Sequence, residues 1–117
     1  MGRFKDRSLL ERVFEFVIGV LRLVEKLPKN RRNIIITDQL MRSATSTGAN
    51  LEEADGAISR REFVKFVNIS KREMKESNYW LRILQVFEES WMGDIDSLLR
   101  ESEELTKIFS SIVKKST

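Results

Sequence analysis

Apolar residues recur every three or four positions along most of the chain, with only three short interruptions. This period is typical of α-helices that bury one face, and it predicts helices at about residues 8–27, 31–54, 60–89 and 95–114. In the first helix the apolar positions are Leu10, Val13, Phe14, Val17, Val20, Leu21, Val24 and Leu27. Helices joined by short connections pack most simply as an antiparallel up-down-up-down four-helix bundle. We therefore predict an all-α, single-domain fold over residues 1–117.

The interruptions contain residues that begin helices. Asn30 or Asn33 can cap the second helix, because an Asn side chain accepts a hydrogen bond from a free backbone N–H. Ser59 and Glu62 have the Ser-x-x-Glu spacing of a capping box, which predicts the start of the third helix. Asp94 is the expected cap of the fourth.

The middle of the second helix consists only of small residues. Positions 43–49 read Ser-Ala-Thr-Ser-Thr-Gly-Ala, which is a weak helix-forming sequence in isolation. We interpret this stretch as a helix that is stabilised by close tertiary packing, with Gly48 at a close helix approach.

The third helix has two apolar stripes. One is expected to face the bundle core and contains Phe63, Val67, Ser70, Met74, Ser77, Leu81 and Leu84. The second lies roughly 100° away on the helical wheel and contains Phe66, Ile69, Trp80, Ile83 and Phe87. Either the flank of helix one or two covers it, or a second copy of the chain does. We favour a homo-oligomer, because exposed aromatic residues of this kind are enriched at interfaces.

Opposite the core stripe, the third helix has a basic face. It contains Arg61, Lys65, Asn68, Arg72, Lys75, Tyr79 and Arg82. A solvated helix face explains such a run without any function. Alternatively, the cations follow a phosphate backbone and Tyr79 stacks on a base. The candidate nucleic-acid-binding residues are Arg61, Lys65, Arg72, Lys75, Tyr79 and Arg82.

The net charge of the chain is only +3, but it is unevenly distributed. Residues 59–82 contain seven cations and three acids, whereas residues 88–104 contain seven acids and one cation. A symmetric assembly would repeat the basic face in every subunit.

The composition argues against most enzyme chemistry. The chain has no Cys and no His, so it cannot form thiolate metal sites, a Ser-His-Asp triad or a histidine proton shuttle at neutral pH. We expect no catalytic residues, no metal and no cofactor. No segment is apolar enough to suggest a membrane span or a signal peptide, so we expect a cytoplasmic protein without membrane contact.

Two groups of neighbouring acidic residues stand out in the sequence. Glu52 and Glu53 form a cluster with Asp55, but they do not all point the same way, and solvation or a helix-end role is the simpler interpretation. Glu73 and Glu76 interrupt the second apolar stripe, where their charge requires a basic partner. Arg42 or Lys26 is the expected partner.

Several segments together resemble a known signature. Residues 39–46 read Gln-Leu-Met-Arg-Ser-Ala-Thr-Ser, residues 50–54 read Asn-Leu-Glu-Glu-Ala, and residues 59–66 read Ser-Arg-Arg-Glu-Phe-Val-Lys-Phe. With Tyr-Trp-Leu at 79–81 and the Leu27-Pro28 stop, they resemble the four-helix-bundle proteins encoded by intervening sequences in bacterial large-subunit ribosomal RNA genes. The chain departs from that pattern at Ala54, where the family commonly has Gly, and at Thr47-Gly48, where it usually has a larger apolar residue.

The resemblance implies a four-helix bundle that assembles into a ring-like homopentamer without established enzymatic activity. The family is similar in fold to accessory variability proteins of diversity-generating retroelements, which bind nucleic acid and a reverse transcriptase. Arg42, Asn50 and Glu53 occupy motif positions, and we interpret them as buried polar links that fix the register of the bundle.

The leading hypothesis is therefore a non-catalytic homo-oligomer, pentameric by resemblance, that binds RNA or DNA mainly through phosphate contacts. The alternative is a protein-interaction scaffold, for example an accessory subunit of a reverse transcriptase.

Overall fold

The computed structural model describes residues 2–117, which form four α-helices. They are α1 (Ser8–Lys26), α2 (Arg31–Asp55), α3 (Arg60–Phe87) and α4 (Met92–Ser116), with one 3₁₀ turn, Glu89–Trp91, before α4. α1 and α3 each pack against both α2 and α4, as diagonal partners in a square bundle do. The bundle measures 44 × 21 × 20 Å. The all-α four-helix bundle predicted from the periodicity is confirmed.

A single apolar core runs along the bundle axis. The core stripe predicted for α3 lies within it, since Val67, Ser70, Met74, Ser77, Leu81 and Leu84 are all buried. Phe63, at the end of the stripe, is only partly buried, and its ring packs 5.4 Å from that of Phe4. The segment before α1 therefore closes the end of the bundle where α2 connects to α3.

The apolar face of α1 differs from the prediction. Phe16 and Leu23 are buried, whereas Phe14, which the pattern included, is 60% exposed. The buried set of α1 includes Val13, Phe16, Val20 and Leu23, which alternate three- and four-residue steps and so occupy one narrow line on the helix. Phe14 lies to one side of that line and remains at the surface.

The small residues of α2 allow close packing, and the helix is continuous through them. The hydroxyl oxygens of Ser43 and Ser77 are 2.7 Å apart, and Ser70 Oγ donates to the Thr47 carbonyl at 2.9 Å, so these contacts join α2 to α3. A Cβ added at Gly48 would lie 3.3 Å from Val17 Cγ2, which shows how near α1 comes.

Two helix starts have the predicted caps. Asn30 Oδ1 accepts from the Asn33 N–H at 2.9 Å, and Ser59 Oγ accepts from the Glu62 N–H at 3.1 Å. The reciprocal hydrogen bond of the capping box differs by one residue, because Glu62 Oε1 accepts from the Ile58 N–H rather than from that of Ser59.

The prediction that Asp94 caps the fourth helix is wrong. α4 begins at Met92, directly after the 3₁₀ turn, and Trp91 in the cap position makes no side-chain cap hydrogen bond. Asp94 lies in the first turn, where its carboxylate is favoured by the free N–H groups of the helix start and contacts Lys26 Nζ at 3.1 Å.

Candidate nucleic-acid interface

The predicted basic face lies on the outer side of α3. α2 and α4 flank the helix, and the face between them points to solvent. All six candidate residues are exposed, namely Arg61, Lys65, Arg72, Lys75, Tyr79 and Arg82. From Arg61 to Arg82 the face is about 32 Å long at the usual helical rise. A straight cationic face of this length can follow several consecutive phosphates.

None of the cations on this face is in an ion pair within residues 2–117. The ion pairs there involve five other basic residues, which are Arg7, Arg12, Lys26, Arg32 and Arg42. Each of these cations meets a carboxylate from a different part of the chain. The charge of these cations is therefore available to an external anion.

Near the C-terminal end of α3 the cations are oriented by neighbouring side chains. The Arg82 guanidinium carbon lies 5.6 Å from the centre of the Tyr79 ring, and Arg82 Nε donates to Asn78 Oδ1 at 2.9 Å. Toward the N-terminal end of α3, Lys65 Nζ lies 5.4 Å from the Phe66 ring centre. Tyr79 is 47% exposed, so part of its ring is accessible.

The basic surface continues onto α4, which the sequence analysis did not detect. An open groove of about 400 Å³ between α3 and α4 is lined by Lys75, Asn78, Arg82, Glu103, Thr106 and Lys107. Lys107 is exposed and adds a cation beside Lys75 and Arg82. Periodicity within one helix could not reveal it, since its position depends on the register between α3 and α4.

The second apolar stripe of α3 is only partly covered by the bundle itself. Phe66, Trp80 and Ile83 are partly buried and pack against the core. Ile69 is half-buried, and Phe87 is 51% exposed, with the Arg32 guanidinium 4.2 Å from its ring centre. The bundle thus covers much of the stripe, while Phe87 is left at the surface.

Arg42 is the partner of both acids in this stripe. It contacts Glu73 at 3.3 Å and also Glu76, whereas Lys26 binds Asp94 instead. The hydrogen bond donated by Trp80 Nε1, and then the Arg42 guanidinium, lower the pKa of Glu76. The acids therefore help to join α2 to α3 at the surface.

The interpretation of the three motif residues as buried links between helices is wrong for all three. Arg42 is about half exposed, and Glu53 is exposed. Asn50 is half-buried but donates to Ser46 on its own helix, at the backbone oxygen and at Oγ. A buried polar link between α2 and α3 is made instead by the short hydroxyls of Ser43 and Ser77.

Neither a membrane-spanning helix nor a cluster of metal ligands is found among the described residues. No helix among residues 2–117 is long and apolar enough to cross a membrane. Over the same residues, no group of three or more acids could hold a metal ion.

Comparison with known proteins gives the family. A family profile described as 23S rRNA-intervening sequence protein matches residues 5–111. The chain belongs to this family. A crystal structure of a protein with unknown function from the S23 ribosomal protein family of Bacteroides thetaiotaomicron is 32% identical, with a TM-score of 0.82. The match covers 91% of this chain and 98% of that one. The search of curated proteins found no match.

Proposed function

We propose that this member of the 23S rRNA-intervening sequence protein family is a non-catalytic homo-oligomer that binds nucleic acid through phosphate contacts along α3. The observation that carries the proposal is a set of exposed cations on one helix face that make no ion pair within residues 2–117, namely Arg61, Lys65, Arg72, Lys75 and Arg82. An extended row of cations without acids favours a polyanion over a single small anion.

Exposed apolar residues support the oligomer. Ile35 is 55% exposed and Phe87 51% exposed. They lie at the same end of the bundle, because Asn33 in the first turn of α2 contacts Glu88 at the end of α3. A second copy of the chain would remove these surfaces from water. A pentamer, as the family resemblance implies, would place five basic faces on one particle in the cytoplasm.

The alternative function is a scaffold for a protein partner such as a reverse transcriptase. The same exposed apolar residues favour it, since a foreign protein could cover them as well as a second copy could. In that case the basic face would bind acidic residues of the partner, and nucleic-acid binding would be absent or incidental.

A titration of a fluorescently labelled oligonucleotide, followed by anisotropy, tests the main proposal. The wild-type chain is expected to bind RNA or DNA of about 20 nucleotides with little sequence preference and with steep salt dependence. Charge reversal in Arg72→Glu with Lys75→Glu should abolish this binding. Absence of binding by the wild type even at low salt would refute the proposal, and capture of a protein partner by the double variant would favour the scaffold.

A further inference from the structure

The groove between α3 and α4 has a charge pattern of its own. Lys75 and Arg82 enter it from α3 and Lys107 from α4, and Glu103 is the one acid that lines it among the residues that the structure describes. The groove is open to solvent and, at about 400 Å³, is large enough for a phosphate group with its two flanking sugars.

The cations of this groove are available to a ligand. Lys75, Arg82 and Lys107 are in none of the ion pairs found within residues 2–117. The groove between α1 and α4 provides a contrast, because Arg12 is held there by Glu101 at 2.7 Å and by Glu104 at 3.1 Å. The lining of that groove has an excess of acids, with Glu11, Glu15, Glu101 and Glu104 against Arg12 and Arg100, whereas the α3–α4 groove has an excess of cations.

Arg82 is positioned in a way that suits an oxyanion. Its Nε donates to Asn78 Oδ1 at 2.9 Å, and Asn78 Nδ2 in turn donates to Ser102 Oγ at 2.9 Å. Ser102 is fully buried on α4, so this chain of hydrogen bonds connects the guanidinium to the core. No hydrogen bond of the Arg82 Nη groups is present in the described structure. A guanidinium held by Nε, with both Nη groups available, can bind a phosphate through two parallel hydrogen bonds.

We propose that this groove binds one phosphodiester group of a nucleic-acid strand. Arg82 donates two hydrogen bonds to the phosphate, and the ammonium groups of Lys75 and Lys107 flank it. The strand thus leaves the α3 face here and crosses onto α4. This inference rests on the proposed nucleic-acid binding and adds to it a specific subsite and Lys107, which belongs to another helix.

Glu103 gives the inference an unusual test. Its carboxylate lines the same groove and repels a bound phosphate, so its removal should strengthen binding rather than weaken it. A structural defect would not produce such a gain. The variant Glu103→Gln is expected to bind a labelled oligonucleotide about twofold to threefold more tightly than the wild type.

Variants that remove a contact to the phosphate should weaken binding instead. Lys107→Gln is expected to weaken binding about threefold to fivefold and to reduce the salt slope by about one. Arg82→Lys keeps the charge but loses the paired hydrogen bonds, so it should weaken binding about threefold, whereas Arg72→Lys on the open face should have little effect.

Matched controls separate local contacts from net charge. Lys29→Gln and Glu25→Gln make the same charge changes at exposed positions outside the groove. If Lys107→Gln merely matches Lys29→Gln, or if Glu103→Gln merely matches Glu25→Gln, the groove proposal is wrong while nucleic-acid binding along α3 still stands. If the wild type binds no oligonucleotide, both proposals fail. Binding of anionic phospholipid vesicles in place of oligonucleotide, with the same dependence on Lys107, would assign the groove to a lipid headgroup and overturn the nucleic-acid assignment.

Discussion

Asn33 and Glu88 form a buried link between the start of α2 and the end of α3. Asn33 Nδ2 donates to Glu88 Oε1 at 2.8 Å, and the two residues are 1% and 8% exposed. The same amide nitrogen donates to the Pro28 carbonyl at 2.9 Å, so one side chain also fixes the connection that precedes α2. Arg32 lies 3.9 Å from the other carboxylate oxygen. A buried carboxylate is tolerated here because an amide donates to one of its oxygens and a guanidinium lies near the other.

Removal of the Asn33 side chain should therefore destabilise the protein. Asn33→Ala leaves the Glu88 carboxylate and the Pro28 carbonyl without this donor, and the expected loss is about 2 kcal/mol of unfolding free energy. Urea denaturation followed by circular dichroism measures this loss. Gln39→Ala, which removes an exposed amide from the same helix, is the control and should cost at most about 0.5 kcal/mol. Equal losses in the two variants would contradict the role of the link.

The two neighbouring phenylalanines of α1 should differ sharply. Phe16 is 2% exposed and Phe14 is 60% exposed. Phe16→Ala opens a cavity in the core and is expected to cost about 3 to 5 kcal/mol of unfolding free energy, a large share of the total stability of a small domain. Phe14→Ala should cost less than about 1 kcal/mol. Thermal melts of the two variants measure the contrast, and a comparable fall in Tm would show that Phe14 is buried in the assembled protein.

The same pair shows what the sequence could predict. A three- and four-residue period is sufficient to find four helices and the buried stripe of α3, because helix geometry is local. It did not separate Phe14 from Phe16, since apolar residues cover a wide arc of α1 and the choice depends on where α2 and α4 lie. Lys107 was missed for a related reason, as its place beside Lys75 and Arg82 follows from helix packing. Asp94 was misassigned because α4 begins at Met92, directly after the 3₁₀ turn, and Asp94 therefore lies inside the helix.

Acid should weaken the fold through two carboxylates. The backbone N–H of Phe4 and the guanidinium of Arg7 lower the pKa of Asp55 below its ordinary 3.8. The Trp80 N–H and Arg42 lower the pKa of Glu76 below its ordinary 4.5. A carboxyl whose pKa is depressed by folding stabilises the folded state above its unfolded pKa, and this contribution is lost as the pH falls through the folded pKa. Stability should therefore decline from about pH 5 downward.

The variant Asp55→Asn tests this pH dependence. It keeps an oxygen that can accept from the Phe4 N–H but cannot titrate, so the slope of unfolding free energy against pH between about 5 and 3 should become shallower. Urea denaturation at a series of pH values provides the measurement. Asp38→Asn changes the charge equally at an exposed position and should leave the slope close to that of the wild type. An unchanged slope in Asp55→Asn would exclude this carboxyl as a cause.

The basic face of α3 predicts a specific salt dependence. If its five cations each neutralise one phosphate of duplex DNA, the slope of log affinity against log salt is about −4.5, and binding weakens roughly 500-fold between about 50 and 200 mM salt. Arg72→Gln with Lys75→Gln should make the slope shallower by about two. Lys5→Gln with Lys29→Gln removes the same charge elsewhere. Equal slopes in the two double variants would mean that binding depends on net charge alone.

Two exposed apolar residues at one end of the bundle predict where the subunits of the oligomer meet. Ile35 and Phe87 are expected to lie between subunits, so Ile35→Glu with Phe87→Glu should dissociate the assembly without unfolding the bundle, because both side chains are already half exposed in the monomer. Light scattering should report about 69 kDa for a wild-type pentamer, five times the 13.7 kDa of one chain, and a single chain for the variant. Ile58→Glu is the matched control, since Ile58 is 88% exposed in the connection between α2 and α3, at the other end of the bundle. If the wild type already has the mass of one chain, the oligomer is excluded. If Ile58→Glu dissociates the assembly and the double variant does not, the interface lies at the opposite end.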